Sequence, residues 1–210
     1  AIGCTLAAAG SYHWFCQTLG TYELLRQQQE GVDAYILLDE QAHAAPAGCG
    51  GLLYFPYLMG ERCPLFDADA RGAFWGIDST MDKGHFARAV LEGVAYSLRQ
   101  VYDLTRSPDV GAPEYIVVCG GGSKSGLWRQ ILADVFQLPV CTTGGAAEGS
   151  AYGAALLAGV AGGFWHNTEE AAAQCRLLTR LEPCLERRDA YEKQYARYCA
   201  LYRFMTNKER

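Results

Sequence analysis

Three consecutive glycines, Gly120-Gly121-Gly122, stand between the apolar run Tyr115-Ile116-Val117-Val118-Cys119 and a helix-patterned segment that begins at Ser125. Glycine has no Cβ, so a turn of this kind reaches positive φ freely and lets a ligand approach the backbone. The free N–H groups at the start of the following helix point at the same place and favour an anion. Strand, glycine turn and helix together suit a phosphate or the edge of a nucleotide. The same residues would also serve as a tight turn under close helix–sheet packing, with no ligand at all. Two common nucleotide loops are excluded. A loop of the form GxxxxGK[ST] would need glycine where Val118 and Ser123 stand, and a GxGxxG fingerprint would need it at Ser125.

No other set of residues has the spacing of a catalytic centre. His13, His43, His85 and His166 are scattered, and none is placed as a base beside a nucleophile. The nine cysteines are odd in number and contain no CxxC pair. A zinc site calls for close pairs of ligands, so these read as reduced, buried thiols. Glu61 with Arg62, and Asp67 with Arg71, read as ion pairs inside one loop, and Glu148 as an acceptor for N–H groups of the helix after it. No residue is assigned as catalytic and none as a metal ligand.

The elements that must hold the glycine turn follow from hydrophobic period and breakers. One helix is expected from Ser11 to about Gln29 and a second over Tyr35 to His43, ended by the Ala45–Gly51 stretch. Leu52 to Leu58 reads as a short buried strand, followed by a loop from Met59 to about Gly72. The clearest helix runs from about Asp82 to Ser107. Phe86, Val90, Leu91, Val94, Leu98, Val101 and Leu104 form its apolar face, Asp82 caps it and Pro108 lies beyond it.

Tyr115 to Cys119 is apolar on both faces, as a central parallel strand would be. Helix Ser125–Phe136, strand Pro139–Thr142 and a small-residue helix Ser150–Gly159 that must pack closely come next. A helix starts at Thr168, and a last one runs from Glu186 to Met205 with Tyr191, Tyr195, Tyr198, Leu201 and Tyr202 toward one side. An exposed tyrosine face there would suit a homodimer interface. Strand and helix alternate after residue 110, which indicates an α/β fold with parallel strand pairs. Residues 1–210 form one domain.

Composition narrows the partners. Half of the 210 residues are hydrophobic and a fifth are charged, as in ordinary globular proteins. A net charge of −5 argues against a nucleic-acid partner. No run of about 18 apolar residues suggests a membrane span, and the start lacks the basic and apolar regions of a signal peptide. A cytoplasmic location is expected.

The segment Gly120-Gly121-Gly122-Ser123-Lys124-Ser125-Gly126-Leu127-Trp128 and its continuation to Val140 resembles a signature stretch of the FGGY carbohydrate kinases. Further pieces match in the family's order: Tyr57-Leu58-Met59-Gly60-Glu61-Arg62-Cys63-Pro64, Ala70-Arg71-Gly72-Ala73-Phe74-Trp75-Gly76, Leu91-Glu92-Gly93-Val94-Ala95-Tyr96 and Glu148-Gly149-Ser150-Ala151-Tyr152-Gly153. The resemblance covers nearly the whole chain and is nearest to the xylulokinase and gluconokinase-like members. It implies the second of two ribonuclease H-like lobes, an actin- and hexokinase-like architecture with ATP in the cleft between them.

By the same resemblance, Gly120, Gly121 and Gly122 line the nucleotide, and Ser125 stands where the family often has Asn. Gly10 and Trp14 on the first helix fall beside the nucleotide, and Lys124 is a solvated lysine. The first lobe would supply the sugar contacts, the catalytic Asp and most of the Mg2+ ligation. The resemblance places the family's phosphate hairpin before Ala1 and implies that this chain alone transfers no phosphoryl group. A non-catalytic nucleotide-binding or assembly module of the same fold is the alternative.

Overall fold

The computed structural model describes residues 3–64, 66–106, 111 and 113–206. Three helices open the chain: α1 (Ala8–Leu19), α2 (Thr21–Glu30) and α3 (Ala34–Ala44). The single helix expected over Ser11–Gln29 is therefore two, broken at Gly20, whose N–H still donates to the Cys16 carbonyl at 2.9 Å. Asp33 caps α3 by accepting from the Tyr35 N–H at 2.9 Å. A short hairpin follows, β1 (Leu53–Phe55) paired antiparallel with β2 (Ala73–Trp75). β2 follows the expected loop and carries no expectation of its own, and β1 is shorter than the Leu52–Leu58 strand expected, although all three of its residues are buried.

Helix α4 (Lys83–Thr105) is the axis of the core and packs against α1, α3, β1, α8 (Arg188–Thr206) and α5 (Gly126–Phe136). Asp82 caps it as expected, within a reciprocal pair in which the Asp82 N–H donates to His85 Nδ1. The stop at Pro108 lies outside the described residues. Gly93 lets α4 lie against β1, because a Cβ there would overlap the Tyr54 carbonyl. Inside this packing the Arg88 Nε donates to Glu92 Oε1 at 2.7 Å, with 4% and 1% of the two residues exposed. Arg88 also donates to the Ala42 and Ala45 carbonyls and to the Tyr191 hydroxyl, and Glu92 accepts from the Gly48 N–H. One buried pair thus ties α4 to the end of α3, to the turn at Gly48 and to α8.

The tyrosines of α8 face inward. Tyr191 and Tyr198 are fully buried, Tyr202 nearly so, and the Tyr198 ring stacks on Phe55 with centroids 4.6 Å apart. The tyrosine face expected to be exposed is thus covered, because these rings complete the core. The i and i+4 spacing that marked one side of the helix says which residues sit together, not what covers them.

The remaining sheet has the order β3–β4–β5, with β3 (Ile116–Val117) parallel to β4 (Val140–Thr143) and β5 (Leu177–Leu181) antiparallel to it. The parallel pair matches expectation, whereas the sequence carries no signal for β5. Among the described residues β3 is an edge strand and Val117 is 45% exposed, so the central position expected for it is not seen. Helix α6 (Ser150–Ala161) buries no residue and touches mainly α7 (Thr168–Ala172), contrary to the close packing expected of its small residues. It starts after Gly149 with no side-chain cap, so Glu148 does not serve there. No helix among the described residues is long and apolar enough to cross a membrane. Cys16, Cys49 and Cys141 are buried, and no cysteine is disulfide-bonded.

Candidate functional site

A cavity of about 520 Å3 lies against the glycine turn, enclosed by α1, α3, α4 and the start of α5. That size accommodates a nucleoside or a similar small molecule. Val90, Leu91 and Val94 of α4 make its apolar floor, and Gly121, Gly122, Lys124, Ser125 and Trp128 make one wall. The three glycines have different tasks. Gly120 leaves β3 at φ 78° and ψ −171°, a conformation open only to glycine. A Cβ on Gly122 would overlap the Trp128 ring, so this glycine lets the indole lie under the turn. Gly121 lines the cavity and has nothing within 4 Å of where a Cβ would stand. It is therefore Gly120, and not Gly121, that needs positive φ.

Ser125 is the N-cap of α5. Its Oγ accepts from the Trp128 N–H at 3.0 Å and donates to Asp39 Oδ2 at 2.6 Å. The other Asp39 oxygen accepts from the Tyr12 hydroxyl at 2.9 Å. This chain of bonds joins α1, α3 and α5 across the cavity. Burial raises the Asp39 carboxyl above its ordinary range, and the two hydroxyl donors offset part of that rise. Burial, with the Asp39 charge beside it, raises the Tyr12 phenol far above its ordinary value, so Tyr12 remains a donor. On the same side His13 Nδ1 lies 2.7 Å from the Tyr35 hydroxyl.

Gly121, Gly122 and Ser125 thus line one cavity, and Gly120 shapes the turn beneath them. Gly10 and Trp14 do not line it. Successive helix residues turn by about 100°, so Ala8, Ala9, Tyr12 and His13 share the face of α1 that meets the cavity while Gly10 and Trp14 fall on another. Trp14 stacks instead on Tyr54, with centroids 6.4 Å apart. The i, i+4 pair that faces the site is Ala9–His13, one residue earlier in register. Lys124 is exposed, as read, but it stands at the rim of the cavity.

Asp39 and Tyr12 were not singled out from the sequence. Their only signal is that Tyr12 shares a helix face with Ala8 and Ala9, and Asp39 with Tyr35 and Ile36. The Glu61 loop differs as well. Glu61 Oε1 accepts from the backbone N–H groups of Arg62 at 2.7 Å and Leu6 at 3.2 Å, so it is the Arg62 backbone and not its guanidinium that meets the carboxylate. Asp67 accepts from the Asp69 N–H and Arg71 donates to the Ala68 and Ala70 carbonyls.

A lobe of helices closed on a short mixed sheet, with a cavity at the strand–glycine–helix turn, is the fold of the sugar-kinase C-terminal domains. Residues 2–162 match the C-terminal domain of the FGGY family of carbohydrate kinases, and the chain belongs to that family. It is 38% identical over 174 residues to a xylulose kinase of Bacillus subtilis, an alignment that covers 82% of this chain and 32% of that protein. A gluconokinase of the same organism is 37% identical over 145 residues, 69% of this chain and 28% of the other. The crystal structure of ligand-bound xylulose kinase from Lactobacillus acidophilus superposes with a TM-score of 0.78 and 28% identity, covering 95% of this chain and 38% of that one. The chain thus spans about a third of the length of these relatives.

Proposed function

We propose that this chain is the nucleotide-holding lobe of a kinase that moves the γ-phosphoryl group of ATP to a hydroxyl of a sugar or sugar acid. Xylulose and gluconate are the substrate types suggested by the names of its relatives. The observation that carries the reading is the cavity itself: a concave, apolar-floored space placed where backbone glycines leave room for a ligand. Gly121, Gly122 and Ser125 flank the nucleotide, Trp128 lies under it, and Lys124 at the rim offers a cation to its phosphates. The apolar floor excludes water from the base, and the fixed wall orients it, which are the positioning terms on which phosphoryl transfer depends.

The described residues include no group of three or more metal-ligating side chains. Mg2+ belongs, in this reading, with the nucleotide phosphates and with groups of the lobe that holds the sugar. The general base belongs there too. The compartment is the cytoplasm, where ATP and sugar are both supplied.

The test is ADP binding followed by tryptophan fluorescence, in the protein and in its Gly121→Val variant. Gly121 lines the cavity, is outside the positive-φ region and has an empty Cβ position, so valine there adds bulk at the cavity wall without a clash against the fold. Affinity for ADP is expected to fall by roughly tenfold or more, the loss that one misplaced contact of about 1.4 kcal/mol brings. An unchanged affinity in the folded variant would remove the site from this cavity.

A further inference from the structure

The polar wall of the cavity has one chemical sign where α3 meets α5. The Ser125 hydroxyl has a single proton, and it is spent on Asp39 Oδ2 at 2.6 Å. Ser125 Oγ already accepts from the Trp128 N–H, so what it can still offer a ligand is a lone pair. Asp39 is a carboxylate and accepts only. Its two donors, Tyr12 and Ser125, use one lone pair on each oxygen and leave a second on each. Both groups line the cavity, and Tyr12 fixes the carboxylate from the side of α1. A ligand edge that meets this wall must therefore bring an N–H or O–H.

We propose that Asp39 is a specificity-determining residue of the nucleotide site, reading the 6-amino group of a purine through an all-acceptor wall that it forms with Ser125. This deepens the nucleotide reading and rests on it. A 6-amino group donates into the wall. A 6-oxo group would set its own lone pairs against a carboxylate and a hydroxyl that cannot turn its proton outward. An acceptor left unpaired in a closed site is costly, so the wall discriminates more strongly than apolar contact would. Tyr12 is a positioning residue, because it acts by holding Asp39 in place.

The experiment measures ADP and IDP binding to the protein by calorimetry, since the two bases differ at position 6 and at the neighbouring ring nitrogen. Wild type is expected to favour ADP about tenfold or more. Asp39→Asn exchanges one acceptor for a donor and is expected to shrink that ratio severalfold. Ser125→Ala, the second variant, removes the other acceptor and is expected to shrink it as well, with folding of both checked by near-UV circular dichroism. ADP with 2′-deoxy or 3′-deoxy ribose is expected to keep its affinity in wild type. A wild type that binds ADP and IDP alike overturns the assignment of Asp39 and leaves the nucleotide site standing. So does an unchanged ratio in a folded variant, or a loss that follows a ribose hydroxyl. Failure of both nucleotides to bind wild type removes the nucleotide reading itself, and this inference with it.

Discussion

The two sides of the molecule solve the problem of apolar surface differently. Around α4 the core is covered, and even the charges inside are partnered: Arg88 and Glu92 have six further donors and acceptors between them from the end of α3, the Gly48–Cys49 turn, α4 itself and α8. Around the three-stranded sheet the covering stops. Helix α6 is apolar over most of its circumference and buries none of its residues, and Leu157, Phe164 and Leu178 are 61%, 83% and 67% exposed. Composition alone would rank α6 as the more buried of the two helices. Burial is a property of what stands opposite, and on this side few described residues do. The cavity lies against the closed side, with α4 as its floor and the glycine turn as its outer wall.

The largest effect is expected on the closed side, at Glu92→Ala. Burial alone pushes the Glu92 carboxyl up, and Arg88 pulls it back, so the pair is held by mutual compensation. Removing the carboxylate leaves a buried guanidinium facing two carbonyls and a tyrosine hydroxyl. Loss of one partner of such a pair costs about 3–5 kcal/mol. A urea-unfolding series is expected to show a loss in that range, with the double variant Arg88→Met/Glu92→Leu closer to wild type. A loss below about 1 kcal/mol in Glu92→Ala would mean that water reaches the pair and that the closed side is not closed.

An intermediate effect is expected where the two sides meet, at the glycine turn. Gly122→Ala pushes a methyl group into the Trp128 ring, and overpacking of this kind costs about 1–3 kcal/mol. Gly121→Ala adds the same methyl to open space and is expected within about 0.5 kcal/mol of wild type. Thermal unfolding of the two variants separates them. Equal losses would show that the turn tolerates or resists side chains as a unit, and the distinct tasks given to the two glycines would be lost.

Much of the closed side was legible in the sequence because it is local. The apolar face of α4 recurs at three- and four-residue steps, and Asp82 stands where a cap must. The same local signal placed Gly121, Gly122 and Ser125 together, since a strand, a turn and a helix in immediate succession leave little freedom. What failed was whatever depended on a distant partner. Ala9 and His13 line the cavity and Trp14 does not, and this one-residue shift of helical register is invisible until α3 and α5 stand opposite. Asp39 escaped notice because its partners, Tyr12 and Ser125, lie 27 and 86 residues away along the chain. The strands β2 and β5 are short, with β5 mostly exposed, and carry no buried alternation to read. The tyrosines of α8 were recognised as one face and assigned to the wrong side of the surface.

The smallest effect is expected on the open side, at Leu157→Ser. Leu157 is 61% exposed on a helix with no buried residue, so little apolar area leaves water when the chain folds. At roughly 25 cal/mol per Å2 only the covered fraction of the side chain contributes. Serine also costs a few tenths of a kcal/mol in helix propensity relative to leucine. The two terms together keep the expected loss within about 0.5 kcal/mol, the range of ordinary surface changes. Solubility is expected to rise, since an exposed apolar patch is diminished. A loss above about 2 kcal/mol in unfolding by urea would show that Leu157 is covered in solution, and that this side of the molecule is not open.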